Sequence, residues 1–166
     1  MYCPTAIMTD MTSALNAMQG TTRDGYADRL TVRASHIYGL GCFARTHFPA
    51  RKKIALFAGE LVRGRRRIEA RLRQQDAIKV IRLNPDLAID GAVDSNATAY
   101  INHSCAPNAY MRIVPGNKVA FFALRDIQPG EEITIDYRAP DHPAICRCSA
   151  DQCRSTKQRR KSWPAS

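Results

Sequence analysis

Cys146, Cys148 and Cys153 fall within the octapeptide CRCSADQC, spaced C-x-C-x4-C. Thiolates at this spacing can reach one tetrahedral zinc at about 2.3 Å, whereas a local disulfide demands a particular Cα separation and orientation. A closed structural zinc site takes four ligands, so the cluster is one short. Cys105, Cys42, Cys3 and the four histidines are the candidates. His142, four residues ahead of Cys146, makes an all-local site of three cysteines and one histidine a direct rival.

A second chemistry-bearing stretch is YINHSCAPN, where Asn102, His103, Ser104 and Cys105 follow one another. No Gly-x-Ser-x-Gly elbow surrounds Ser104, and a histidine two residues from a cysteine is not a nucleophile–base pair by rule. Taken alone, the stretch reads equally well as turn chemistry and packing.

The elements that must position these residues are short. The chain has 166 residues, enough for one domain with a modest core. RLTVRAS and GCFARTHF alternate as strands around the glycine-bearing turn HIYGLG. KKIALFAGELV is apolar enough for one or two buried strands. RGRRRIEARLRQQD is a helix, with Ile68 and Leu72 spaced to share a face and arginine on the others. IKVIRL and LAID return to strands, and Asp94 or Ser95 is placed to cap one helical turn ahead of Tyr100. NAYMRIV and VAFFAL, joined by PGNK, form a hairpin, and PGEEITIDY is a turn and a last strand. Many short strands, one clear helix and no βαβ rhythm define a mostly-β α+β domain, not a nucleotide-binding Rossmann sheet.

A formal net charge of +10 favours an acidic partner, either nucleic acid or acidic protein. The arginine-rich helix divides between a solvated face and such a docking surface. No run of about 18 apolar residues is present, so no membrane partner is expected. The first twenty residues lack the basic start and apolar stretch of a secretory signal, which predicts an intracellular protein whose cysteines stay reduced and free for metal. Residues 1–27 read as a variable leader and 157–166 as a basic tail.

The combined motifs resemble the SET-domain family of protein lysine methyltransferases. YGLG at 38–41 is similar to the family's first Gly-x-Gly turn, YINHSCAPN to its Asn-His-Ser-Cys-x-Pro-Asn motif, and GEEITIDY at 130–137 to its Gly-Glu-Glu-(Leu/Ile)-Thr-x-Asp-Tyr motif. CRCSADQC resembles the cysteine cluster that follows the domain in many members. The resemblance implies a SET domain over 28–138, of several short sheets, few short helices and a knot-like C-terminal segment, with a post-SET zinc-binding segment over 139–156. It implies that Cys105 completes the zinc set with Cys146, Cys148 and Cys153. It implies S-adenosylmethionine as methyl donor, a protein lysine as acceptor (of a histone or another basic nucleic-acid-binding protein), and leaves a homodimer open.

Residue by residue, the resemblance assigns Gly39, Leu40 and Gly41 to the methionine end of the cofactor, Asn102 and His103 to its hydrogen bonding, and Tyr137 to the point where sulfur, methyl and lysine nitrogen meet. His36, His47, Cys3 and Cys42 match no motif. Ile135 stands where many members carry an aromatic residue that influences how many methyl groups are added, Ala99 where Arg or Lys is frequent, and Ser149 where a glycine is usual. Trp163 has no clear counterpart. Two rivals remain: a catalytically silent SET-like module binding nucleic acid or protein through its basic surface, and a small zinc-dependent DNA-binding protein. The second is disfavoured because the arginines do not flank the cysteine cluster as a reading helix would.

Overall fold

The computed structural model describes residues 27–74, 79–137 and 146–154. The leader up to residue 26, Cys3, His142, Trp163 and the basic tail lie outside the described residues, so the expectations placed on them are not addressed by it.

Strands β1 (Leu30–Ala34) and β2 (Leu40–Ala44) pair antiparallel, Leu30 opposite Ala44 and Ala34 opposite Leu40. Alternation in β1 turns Leu30 and Val32 inward. The connection closes on a bond from the Ser35 N–H to the Gly39 carbonyl at 2.9 Å, with Gly39 at φ +43, a left-handed conformation that glycine adopts without a Cβ clash. KKIALFAGELV divides into two strands, β3 (Lys53–Leu56) and β4 (Glu60–Arg63). The hairpin of β5 (Val80–Asn84) and β6 (Leu87–Asp90) joins β4 in a sheet of order β4-β6-β5, and central β6 is buried along its whole length.

The helix α1 (Arg65–Gln74) covers this sheet through a small cluster of Ile68, Val62, Val80 and Ala88. The expected shared face fails at Leu72, which is 42% exposed while Ile68 is fully buried. The helix docks instead through Ile68 and Arg71. The Arg71 guanidinium donates to Asp90 Oδ2 at 2.7 Å and to Glu60 Oε2 at 2.9 Å, tying the helix to β6 and β4. Hydrogen bonding to Asp90, then the Glu60 charge, pushes its already high pKa further up. That arginine belongs to the fold rather than to a solvated face.

The turn ahead of Tyr100 is 3-10 helical (Ala97–Tyr100) and is capped by Asn96, not by Asp94 or Ser95. Asn96 Oδ1 accepts the Thr98 N–H at 3.1 Å, whereas Asp94 sits at φ +49. An N-cap needs an extended backbone. Asn96 has one, at φ −117, and a left-handed Asp94 does not.

β7 (Asn102–His103), β8 (Ala109–Val114), β9 (Lys118–Ala123) and β10 (Thr134–Ile135) complete the chain's strands among the described residues. The β8–β9 hairpin turns at Pro115, Gly116 and Asn117, the last two at positive φ, and β3 adds to its far side. The main core gathers Phe48, Ile54, Phe57, Phe121, Ile127 and Ile133, with Phe57 and Phe121 edge to face at 6.2 Å.

The segment 130–135 is held from both sides. The Ala44 N–H donates to the Glu131 carbonyl, the Gly130 N–H to Ala44, and the Ile133 N–H to Cys42, so it lies along β2. On its other side β10 pairs parallel with β7, Thr134 beside Asn102 and Ile135 beside His103. A strand from the first third of the chain and one from its middle thus flank residues 130–135. The fold is the mostly-β α+β class expected, with one α-helix among the described residues.

Candidate active site and metal centre

Parallel pairing of β7 with β10 is what assembles the site, because it sets Asn102 and His103 beside the run that ends in Tyr137. Asn102 is buried, and its amide nitrogen faces Glu132 Oε1 at 2.8 Å, the Leu40 carbonyl at 3.1 Å and the Tyr38 carbonyl at 3.4 Å. The Tyr38–Leu40 turn is thereby fastened to β7. Glu132 is the hub of this corner: both its carboxylate oxygens accept the Ser35 hydroxyl, at 2.8 and 2.9 Å. At Gly41, where a Cβ would stand 2.3 Å from Glu132 Oε1, the missing side chain leaves room for that carboxylate. At Gly39 no atom lies within 4 Å of where a Cβ would be, so the turn presents an open backbone face.

His103 is buried, with Nδ1 accepting the Tyr137 N–H at 3.2 Å and Nε2 lying 3.3 Å from Cys105 Sγ. The Tyr137 ring packs against it at 5.4 Å, and its hydroxyl donates to the Ile101 carbonyl at 2.8 Å. Burial, then the Glu132 carboxylate, pushes the Tyr137 phenol up to about 12, so it stays protonated at neutral pH. Its hydroxyl is therefore a hydrogen-bond donor, held on the Ile101 carbonyl. The structure therefore brings Gly39, Leu40, Gly41, Asn102, His103 and Tyr137 into one connected corner.

The four sulfurs of Cys105, Cys146, Cys148 and Cys153 lie within 4.8 Å of one another. Zinc with four thiolates at about 2.3 Å implies a sulfur–sulfur edge of about 3.8 Å. Cys105 Sγ and Cys153 Sγ are 3.8 Å apart. The donor set and its size fit zinc, and no other group of three or more metal-ligating side chains is gathered among the described residues. Burial leads the effects that push the Cys146 thiol up. Burial also acts on Cys148, but hydrogen bonds from the Cys105 and Ala150 N–H groups outweigh it and bring that thiol down to about 7. Cys42 is wholly buried in the main core, where desolvation pushes its thiol far up, and it is not part of this group. His36 is exposed, and His47 sits at the surface 3.7 Å from Asp126.

The sequence reading passed over Ser35, Asn108 and Glu132. Asn108 donates to Glu131 Oε1 at 3.0 Å and to the Glu132 carbonyl at 2.7 Å, and accepts the Thr134 N–H at 2.9 Å. It staples YINHSCAPN to GEEITIDY. The doubled glutamate in GEEITIDY, two adjacent carboxylates entering a buried strand, was the available signal for Glu132. Ser35 offered none, being one serine in a turn.

The family description "SET domain" matches residues 39–138. Among curated proteins, the chain is similar to the histone-lysine N-methyltransferase trithorax of Drosophila virilis, 35% identical over 143 residues that cover 81% of this chain and 4% of that protein. It is also similar to the H3 lysine-4 specific histone-lysine N-methyltransferase of Schizosaccharomyces pombe, 33% identical over 132 residues covering 72% of this chain and 14% of the relative. The chain thus spans a small part of the length of these relatives.

Proposed function

Because this chain belongs to the SET-domain family, we propose that it is a protein-lysine N-methyltransferase that uses S-adenosylmethionine. Its substrate in this reading is a lysine of a histone or another basic nucleic-acid-binding protein, in line with the names of the relatives. The observation that carries the reading is the convergence of the Tyr38–Leu40 turn, Asn102–His103 and Tyr137 on one corner.

The cofactor would supply a methyl group on a positively charged sulfur. Held by Gly39, Leu40, Gly41, Asn102 and His103, it would give that methyl to a neutral lysine amine and leave as the uncharged thioether. The protein's part is placement. The open backbone face at Gly39, with Leu40 and Gly41 beside it, would receive the methionine end. With the Asn102 amide nitrogen turned to Glu132 and Leu40, its remaining amide oxygen and backbone are what it offers to the cofactor. Tyr137, fixed by Ile101, would present its phenol oxygen to the reacting atoms. A buried lysine stem loses its proton more readily than one in water, and alignment alone supplies on the order of 7–11 kcal/mol in favourable cases.

In the same reading 28–138 is the catalytic domain and 139–156 the metal-binding segment. Cys105, Cys146, Cys148 and Cys153 would hold a structural zinc that ties the C-terminal segment to the central motif, inside a cell where thiols stay reduced. Arg66, Arg67 and Arg73 are exposed, and among the described residues only Arg73 feels a carboxylate, its charge helping to hold Glu69 below the usual range. They form the basic face proposed to meet acidic protein or nucleic acid. No helix among the described residues is long and apolar enough to cross a membrane.

The test is calorimetric titration of zinc-loaded protein with S-adenosylmethionine, followed by labelled-methyl transfer to core histones. Binding and transfer support the enzyme. Absence of cofactor binding would sink it and leave the silent binding module.

A further inference from the structure

The His103 imidazole stands between the cysteine cluster and Tyr137 and touches both. A ring nitrogen that accepts a hydrogen bond carries no proton. With Nδ1 accepting the Tyr137 N–H at 3.2 Å, the neutral ring's hydrogen is on Nε2, 3.3 Å from Cys105 Sγ. A second connection runs beside the first. The Arg154 N–H points at the same sulfur at 3.4 Å, and its guanidinium pairs with Asp136, the residue before Tyr137. Asp136 Oδ1 is itself 3.7 Å from His103 Nδ1.

We propose that His103 is a positioning residue that couples metal binding at Cys105 to the placement of Tyr137, through an N–H···S bond on one side and a backbone N–H···N bond on the other. The meaning of Tyr137 rests on the methyltransferase reading; the coupling rests on these contacts alone. A thiolate that ligates zinc still carries negative charge, and a donor aimed at it stabilises and orients the ligand. Outer-shell partners of this kind are worth roughly 10–100-fold in metal affinity. The coupling is reciprocal: order gained at the sulfur is returned at the Tyr137 backbone.

Two substitutions separate the halves. A glutamine amide can reproduce the Nε2 donor but not the Nδ1 acceptor, and an asparagine oxygen can reproduce the acceptor but not the donor. Zinc affinity is measured by chelator competition, and protection of the Tyr137 amide by hydrogen exchange before and after zinc removal. In the unmutated protein, removing zinc should speed exchange at Tyr137. His103→Asn should weaken zinc roughly 10–100-fold while sparing that amide in the loaded protein. His103→Gln should hold zinc nearly as before and expose the amide. Unchanged zinc affinity in His103→Asn, or equal loss in both variants, overturns the proposal, since equal loss marks packing alone. Should a variant fail to fold, 15N shifts of the His103 ring in the zinc-loaded unmutated protein decide the matter. A proton on Nε2 with a bare Nδ1 supports the coupling, and a proton on Nδ1 overturns it. Failure of the unmutated protein to bind S-adenosylmethionine would remove the methyltransferase reading without touching any of these outcomes.

Discussion

Gly41→Ala is the most direct perturbation of the corner that Glu132 organises. The added Cβ would stand 2.3 Å from Glu132 Oε1, 2.8 Å from its Cδ and 3.0 Å from Ser35 Cβ, where ordinary contact begins at 3.4 Å. The carboxylate oxygen must retreat by about 1.1 Å, the difference between 3.4 and 2.3. A free glutamate would simply swing aside. This one is held by the Ser35 hydroxyl on both oxygens and by Asn102 on one, at 2.8 to 2.9 Å. A retreat of that size breaks at least one of the two donors' bonds and strains the other. Hydrogen bonds to charged groups contribute about 1.5–3 kcal/mol each. Half-exposure of Glu132 allows water to replace part of that, so the cost should be roughly 2–4 kcal/mol. Urea unfolding measures it as a lower midpoint at unchanged slope. The cycle with Glu132→Ala identifies the cause: in that background Gly41→Ala should cost under about 1 kcal/mol, the residue of the Ser35 contact. A cost of Gly41→Ala below about 0.5 kcal/mol, or one that persists in full without Glu132, would refute the reasoning.

Other expected outcomes follow the same geometry. Tyr137→Phe should lose about 1 kcal/mol of stability with the Ile101 bond and a much larger part of any methyl transfer, read by urea unfolding and labelled-methyl assay. Because the folded Tyr137 pKa is raised, the stability it contributes is complete below 10 and fades as pH climbs from 10 toward about 12; tyrosinate absorbance followed against unfolding will show this. Asn108→Ala strips partners from the Thr134 N–H and the Glu132 carbonyl and should cost roughly 3 kcal/mol in urea unfolding. Ser149 occupies the left-handed region at φ +54, so Ser149→Gly should relieve about 1 kcal/mol of strain and tighten zinc binding several-fold by chelator competition. Cys105→Ala should abolish tight zinc binding; undiminished affinity would return the fourth place to His142.

Much of this molecule was legible before any coordinates. Alternation located β1, where Leu30 and Val32 turn inward, and the Pro-Gly turn located the β8–β9 hairpin; β2 was placed as a strand too, although Gly41 through Ala44 are all buried and show no period of two. The Gly39 turn and the positive φ at Gly116 follow from local backbone physics, as the glycines announce. The helix was legible in extent but not in seat. Ile68 and Leu72 have equal claims by spacing, and only the position of Asp90 on β6 decides that Arg71 docks and Leu72 does not. The cap at Asn96 was missed because its neighbours Asp94 and Ser95 are equally good capping types, and the backbone turn that chooses among them is set by the surrounding fold.

The chemistry-bearing residues were named by sequence, but their relations were not. C-x-C-x4-C states by itself that three sulfurs share a site, since the chain between them is too short to separate them. That Cys105 lies among them is a long-range fact, settled only where the fold sets it beside Cys146, Cys148 and Cys153. Glu132 shows the division most clearly. Its carboxylate contacts Ser35 and Asn102, each far off in sequence, and fills the space left by the absent Cβ of Gly41. Sequence determines residue type and local conformation, because both act over a few bonds. Which distant side chains share one burial site is fixed only when the sheets pair, and that is what the tertiary structure decided here.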